Sequence, residues 1–296
     1  MSKDILTVSV VNFRLHEDGY ERNLDHIEGY AEAASRRGAD LIVFPEMCAT
    51  GYDMFEDPSV SPEEKYELAG IVKEKLVEYV APVTEKYGSY VVVGAPEQAE
   101  DGKSLYNAAI AIFPDGHTES YHKIHPYGGE NTWCIKGREP YMIQTGWGPV
   151  GVSICYDTYM FPELIRYYAK KGARLVLNIT AELEDIRYPG GRDVFTQYYG
   201  QTLGYHVMSN GIFLASANLT GFDRQTYFAG GSVILGPKMS PFGETVCGVY
   251  GGGKDITEPG IYLSAIDLSI ASRQIFSRGK KGEAPDFRDD LYRSWR

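Results

Sequence analysis

Short apolar runs alternate with segments of helical periodicity along this chain of 296 residues, and this alternation constrains its fold more than any other feature. Residues 5–13 form an extended apolar run that is typical of a buried strand. Leu24, Ile27 and Ala31 then recur at the spacing of one helix face. Residues 105–123 contain two apolar runs joined by a Pro-Asp-Gly turn, which predicts a hairpin. This mixed order predicts an α/β fold in which helices cover the faces of a sheet.

Three apolar runs end on side chains that can carry chemistry. Residues 151–154 end at Cys155, and a helical pattern begins a few residues later. A thiol at such a turn leaves the packed sheet and lies beside backbone N–H groups, which favour negative charge on a thiolate and on an oxyanion. Residues 41–45 end at Glu46, and a shorter run ends at Lys123. A base, a cation and a thiol at three strand ends predict an acyl-transfer site.

Three motifs in this chain resemble, in order and spacing, those of the nitrilase superfamily of carbon–nitrogen hydrolases. They are Phe44-Pro-Glu46 with Thr50-Gly-Tyr52, Tyr121-His-Lys123 with Glu130 and Gly137, and Gly151-Val-Ser-Ile-Cys155-Tyr-Asp157 with Phe161-Pro-Glu163. The resemblance implies a four-layer α-β-β-α sandwich with two mixed β-sheets. We expect one carbon–nitrogen hydrolase domain over residues 1–271, since no linker divides them. The tail, residues 272–296, is expected to pack on a partner subunit of a homodimer or higher homo-oligomer.

The resemblance also implies roles for individual residues. The family's triad falls on Glu46, Lys123 and Cys155, and a supporting glutamate falls on Glu130. Glu46 is then the general base and acid, Lys123 and the backbone N–H of Tyr156 stabilise the oxyanion, and Cys155 forms a thioester. The expected reaction is hydrolysis of a small carboxamide to a carboxylic acid and ammonia or an amine. This scheme requires no metal and no organic cofactor.

Each of these residues also has an ordinary structural interpretation. A cysteine with apolar neighbours is usually a small core residue, and a lysine at a strand end is usually exposed. Glu46 could cap a helix or form an ion pair, and Glu130 could be a solvated loop residue. His122, His125 and Cys134 suggest a metal site, but their spacing matches no strong zinc pattern, so we predict no metal.

Aromatic and charged residues follow the same strand ends and are candidates for substrate binding. They are Tyr52, Tyr127, Trp133, Thr180 and, in the loop that follows, Arg187 and Arg192. Aromatic walls suit a small or flat apolar acyl group, and either arginine could hold a carboxylate through two hydrogen bonds. Ordinary strand surface and a solvated loop are the alternatives.

The substrate class has several alternatives. True nitrilases usually have tryptophan after the nucleophile, whereas this chain has tyrosine, which favours the amidase and carbamoylase branches. An N-carbamoyl amidohydrolase is the nearest alternative and differs by releasing carbon dioxide. A nitrilase, and a non-catalytic binding or assembly protein on the same fold, are further alternatives.

Charge and hydropathy restrict the partners. The formal net charge of -11 disfavours nucleic acid. No apolar run has the length of a membrane span, and the N-terminus is typical of a strand and not of a signal peptide. The four cysteines are scattered without a CxxC pair, so we expect reduced thiols and a cytoplasmic location.

Overall fold

Two six-stranded mixed sheets lie face to face in the computed structural model, which describes residues 3–16, 19–184, 187, 190–224, 226–277 and 283–292. The strands are β1 (Ile5–Asn12), β2 (Leu41–Val43), β3 (Tyr90–Gln98), β4 (Leu105–Ile112), β5 (Thr118–His122), β6 (Tyr141–Thr145), β7 (Gly148–Ile154), β8 (Leu175–Thr180), β9 (Phe213–Asn218), β10 (Thr220–Asp223), β11 (Thr226–Ala229), β12 (Val233–Met239), β13 (Thr245–Gly252) and β14 (Gly260–Asp267). The first sheet has the order β14-β1-β2-β3-β4-β5 and the second β13-β12-β9-β8-β7-β6, while β10 and β11 form a separate hairpin.

Helices cover the outer face of each sheet. The helices in the described ranges are α1 (Tyr20–Arg36), α2 (Asp53–Glu56), α3 (Pro62–Tyr87), α4 (Tyr156–Met160), α5 (Pro162–Lys170), α6 (Gly191–Asn210) and α7 (Asp289–Tyr292). Helices α1 and α3 pack on the first sheet, and α5 and α6 on the second, which gives the predicted four layers. Within the described ranges, no helix is both long enough and apolar enough to cross a membrane.

Along the strands of the first sheet, successive side chains point into different hydrophobic cores. Leu41 and Val43 of β2 lie in the core between the two sheets, whereas Ile42 lies in the core beneath α1 and α3. The same alternation occurs in β3, where Val92 packs between the sheets and Val91 under the helices. Because both faces are covered, β2 is apolar throughout and β3 has a continuous apolar stretch over residues 91–93.

Helix α3 begins where local sequence signals predict it. The Ser61 hydroxyl accepts a hydrogen bond from the Glu64 N–H, and the Glu64 carboxylate accepts one from the Ser61 N–H, which forms a capping box. The helix continues through Pro82 and ends at Gly88, which has a left-handed φ of 67°. This long helix and α1 form the outer layer over the strands that carry Glu46 and Lys123.

Strand direction brings the carboxyl ends of several strands to one edge. Strands β1, β2 and β3 are mutually parallel, and β5 has the same direction because β3 to β4 and β4 to β5 are both antiparallel. In the second sheet β7, β8 and β9 are parallel. Since β1 packs against β9, the residues that follow β2, β5, β7 and β8 can meet between the sheets.

The described part of the tail folds against α5 of the same chain. Asp289 forms an ion pair with Lys170, whose ammonium lies 5.6 Å from the centre of the Phe287 ring. The Phe287 N–H donates to the Ile275 carbonyl at 2.9 Å. Packing of the tail on a partner subunit stays a prediction.

Candidate active site

Cys155 lies on a strained turn between β7 and α4. Its φ of 47° and ψ of -102° are rare for a residue with a side chain. The turn is held because the Cys155 N–H donates to the Ile179 carbonyl at 2.9 Å and to Asn178 Oδ1 at 3.2 Å. Tyr156 is the first residue of α4, so its N–H has no acceptor within that helix. The turn therefore presents a thiol and a backbone donor on the same side of the sheet.

Glu46 follows β2 and is completely buried. Its Oε1 accepts hydrogen bonds from Lys123 Nζ at 2.7 Å and from Asn107 Nδ2 at 2.8 Å, and its Oε2 accepts one from the Ala181 N–H at 3.1 Å. The backbone of β3 approaches this turn closely at Gly94, which has no room for a Cβ atom. Three donors from three different segments thus fix one carboxylate.

Lys123 lies between two carboxylates. Its side chain is 2% exposed, and Nζ is 2.8 Å from both oxygens of Glu130 in addition to its contact with Glu46. Glu130 also accepts hydrogen bonds from the Tyr127 N–H at 2.6 Å and the Tyr52 hydroxyl at 3.1 Å. A buried ammonium with two carboxylate partners leaves this cluster with one excess negative charge.

Burial and these charges shift the pKa values of the cluster. Burial opposes the charge on Lys123, but Glu46 and Glu130 outweigh it and hold the pKa of the amine well above its usual value. Burial raises the pKa of Glu130 against the opposing effect of Lys123. Burial and then Glu46 raise the pKa of the Cys155 thiol well above its usual value, although Lys123 and a hydrogen bond with Thr180 act in the other direction. Burial and Glu46 therefore favour the protonated thiol of Cys155 over the thiolate.

Asp157 joins the loop after Lys123 to the turn at Cys155. This buried carboxylate accepts hydrogen bonds from the Tyr121 hydroxyl at 2.7 Å and the His125 N–H at 2.9 Å, and it lies 2.7 Å from His125 Nδ1. The His125 ring also stacks on Phe161, with centroids 3.5 Å apart. The ammonium and the thiol are thus held in one rigid unit.

The histidines considered for a metal site have carboxylate partners instead. His122 Nε2 lies 2.7 Å from Glu97, and His125 lies against Asp157. Among the residues that the structure describes, no three His, Cys, Asp or Glu side chains are grouped as metal ligands.

The predicted substrate residues occupy different places. Tyr52 contacts Glu130 directly, and Tyr127, which is 60% exposed, packs on Tyr156 with ring centroids 4.8 Å apart. Trp133 packs on Phe55 at 5.1 Å, in a small core cluster.

The candidates after β8 are spread over a wider region. Thr180 is completely buried, and its Oγ1 accepts a hydrogen bond from the Tyr159 hydroxyl, so it supports the thiol from within the protein. Arg187 is exposed. Arg192 donates to Glu184 at 3.1 Å and to the Ala229 carbonyl at 2.9 Å.

Three polar residues of the site were not singled out by sequence reasoning. They are Asn107, Asp157 and Glu182. Asn107 donates to both Glu46 and Glu130, and its signal was a polar residue within the apolar run that became β4. Glu182 follows the end of buried β8 as closely as Glu46 follows β2, so the same pattern could have identified it.

Several known proteins are similar to this chain in sequence. The family model described as "Carbon-nitrogen hydrolase" matches residues 14–247. A nitrilase of Pyrococcus abyssi is 31% identical over 74% of this chain and 76% of its own length, and a 2-oxoglutaramate amidase of Bacillus subtilis is 27% identical over 97% of this chain and 99% of its own.

Solved structures give the same result for the fold. An amidase from Nesterenkonia sp. has a TM-score of 0.74 and 25% identity, over 100% of this chain and 98% of its own. A glutamate-to-glutamine mutant of the amidase from Nesterenkonia sp. AN1 has a TM-score of 0.73 and 25% identity, over 98% of this chain and 100% of its own. It carries acrylamide added at its active-site cysteine.

Proposed function

Because this chain belongs to the carbon–nitrogen hydrolase family, we propose that it is an amidase that converts a small carboxamide and water to a carboxylic acid and ammonia or an amine. The observation that carries the proposal is the position of Lys123 Nζ, 2.7 Å from Glu46 and 2.8 Å from Glu130, in a cluster whose charges act on the Cys155 thiol. A nucleophile, a proton acceptor and a cation beside one carbonyl carbon are what acyl transfer requires.

The first step is attack by sulfur on the carbonyl carbon. Because burial and Glu46 hold the thiol in its protonated form, the proton moves to a Glu46 oxygen as the S–C bond forms. The carbonyl electron pair moves to oxygen. Proton transfer during attack avoids a free thiolate beside a carboxylate.

The oxyanion needs donors that are already in position. The Tyr156 N–H is one, since it lies at the start of α4. Lys123 is the second donor. Two of the three hydrogen bonds of its ammonium go to Glu130, so one N–H can turn to the substrate while another still bonds Glu130. Glu130 keeps the Lys123 ammonium in position, and Asn107 keeps the Glu46 carboxylate in position.

Collapse of the tetrahedral species breaks the C–N bond. Glu46 returns its proton to the departing nitrogen, and the acyl group stays on Cys155 as a thioester. Water then attacks while Glu46 takes its proton, the C–S bond breaks, and the thiolate regains the proton from Glu46. One amide and one water give one acid and one ammonia, and Glu46 serves each proton transfer.

The test is ammonia release by the purified protein from short aliphatic amides, from N-carbamoyl amino acids and from the matching nitriles. We expect turnover of amides without carbon dioxide and faster than that of nitriles. Cys155→Ala should abolish it, whereas Cys247→Ala, a matched change at a partly exposed cysteine on β13, should not. Amide turnover that survives in Cys155→Ala would contradict the proposal, and so would release of ammonia from N-carbamoyl compounds alone.

A further inference from the structure

A third carboxyl group, that of Glu182, lies within electrostatic range of Glu46, Lys123 and Cys155. It lies in the loop after β8, next to Ala181, whose N–H donates to Glu46. The Glu182 backbone is fixed at both ends, because its N–H donates to Asn218 Oδ1 at 2.8 Å and its carbonyl accepts from the Ala229 N–H at 3.2 Å. The backbone position from which this side chain extends is therefore set by the fold.

Within the described residues, the carboxyl of Glu182 forms neither a hydrogen bond nor an ion pair. The carboxylates of Glu46 and Glu130, by contrast, both bond Lys123. A partly buried carboxyl without a donor is unfavourable unless something else supplies one. Burial first, and then the charge of Glu46, raise the pKa of Glu182 to about 7. The charge of Glu182 acts in turn on the Cys155 thiol, so the group lies close to the reaction centre.

One of the two arginines that could have favoured an anionic substrate is already paired. Arg192 is held by Glu184 and by the carbonyls of Ala229 and Lys254, and Arg187 is exposed. The ionisable groups that face Glu182 among the described residues are Glu46, Lys123, Cys155, Tyr159 and Tyr199. Lys123 is the only cation in that set and is already paired with two carboxylates.

Building on the amidase function above, we propose that Glu182 determines substrate charge: it binds a protonated amine on the acyl part of the amide and disfavours a carboxylate there. An ammonium group would supply the missing hydrogen-bond donors and neutralise the excess negative charge. A carboxylate would meet like charge where water is largely excluded. A hydrogen bond to a charged group of this kind corresponds to about a 10- to 100-fold change in kcat/KM.

Three amides of nearly equal shape test this. Butyramide, β-alaninamide and succinamate carry a methyl, an ammonium and a carboxylate group at the same distance from the amide, and their homologues one carbon longer extend the series. The measurement is kcat/KM for each with wild type, Glu182→Gln and Glu184→Gln, at about pH 8, where Glu182 is ionised. Glu184 is a matched control because it lies two residues further on and is paired with Arg192.

We expect wild type to prefer the ammonium-bearing amides and to use the carboxylated ones least. Glu182→Gln should lower the preference for the amine over butyramide by about tenfold or more, while Glu184→Gln should leave that preference unchanged. A preference that is unchanged in Glu182→Gln overturns the inference, and so does good turnover of succinamate by wild type. Loss of butyramide turnover in a folded Glu182→Gln protein also overturns it, since the residue would then act on the chemical step.

Wild type alone provides a second test. The ratio of kcat/KM for β-alaninamide to that for butyramide should rise with pH through about 7 as Glu182 ionises. Any pH dependence of the chemical steps cancels in this ratio, since both substrates undergo the same steps. A ratio that does not change with pH contradicts the role of Glu182. If wild type hydrolyses no amide of the series, the amidase proposal itself fails, which is a distinct result.

Discussion

Replacing Lys123 by methionine should destabilise the protein in a pH-dependent manner. The substitution keeps most of the side-chain length and removes the charge that lies 2.7 Å from Glu46 and 2.8 Å from Glu130. All three side chains are no more than 4% exposed, so solvent cannot replace the ammonium. Removing one partner of a buried ion pair costs about 3–5 kcal/mol.

The donors that remain set the upper limit of this loss. Asn107 still donates to both carboxylates at 2.8 and 2.7 Å, and Tyr52 and the Tyr127 N–H still donate to Glu130. We therefore expect the free energy of unfolding to fall by about 3 kcal/mol, at the lower end of that range. The two carboxylates then remain as a pair of like charges.

The pH dependence follows from the sign of the pKa shifts. In wild type the pKa of Lys123 is raised, so its stabilisation is complete below about pH 10. In the variant the pKa of Glu130 lies further above its usual value, because Lys123 no longer opposes the effects of burial and of the Glu46 charge. Protonation relieves the repulsion, so the deficit should be largest at about pH 8 and should shrink towards about pH 5.

Urea unfolding followed by circular dichroism at these two pH values gives the free energy of unfolding directly. Lys86→Met is the control, since the Lys86–Glu32 pair is exposed and screened by solvent, so its loss should change the free energy of unfolding little. A Lys123→Met protein as stable as wild type at about pH 8, or one with the larger deficit at about pH 5, would refute this account of the buried ion cluster.

Two further predictions concern residues around the cluster. Gly94→Ala would place a Cβ atom 2.3 Å from the Pro45 carbonyl and 2.5 Å from Glu46 Cα, so we expect a loss of at least about 1–3 kcal/mol and a large fall in ammonia release. Gly29→Ala, in an open position on α1, should lose neither, as thermal unfolding and the same assay would verify. Glu182→Gln should raise the free energy of unfolding by up to about 3 kcal/mol at about pH 8, because wild type loses stability as the pH rises through the Glu182 pKa of about 7. An equal gain in the free energy of unfolding at about pH 5 would contradict this.

The sequence predicts the fold wherever local chemistry and burial favour the same structure. The apolar runs that predicted strands β1 and β7 are covered on both faces, and the capping-box residues Ser61 and Glu64 start α3. Strand β6 and the hairpin of β10 and β11 were not predicted, because these segments have partly exposed residues and a weak apolar pattern.

The residues of the site divide in the same way, into those that a local sequence pattern identifies and those that it does not. Glu46, Lys123 and Cys155 directly follow predicted strands, so their proximity follows from strand direction. Glu130 was assigned only through the family resemblance, since its place depends on a short 3₁₀ turn, Gly128–Thr132. The partners of Asp157 are 32 and 36 residues away in sequence, and no local pattern identifies them.

The chemical claim at the centre of this account is that the acyl group of an amide becomes attached to Cys155. Rapid quenching of wild type with an amide substrate, followed by proteolysis and mass spectrometry, tests it directly. We predict that the peptide containing Cys155 gains the mass of the acyl group before steady turnover begins, and that the Cys155→Ala protein acquires no acyl group. Steady release of ammonia with the acyl group on another residue, or with turnover retained in Cys155→Ala, would contradict the account.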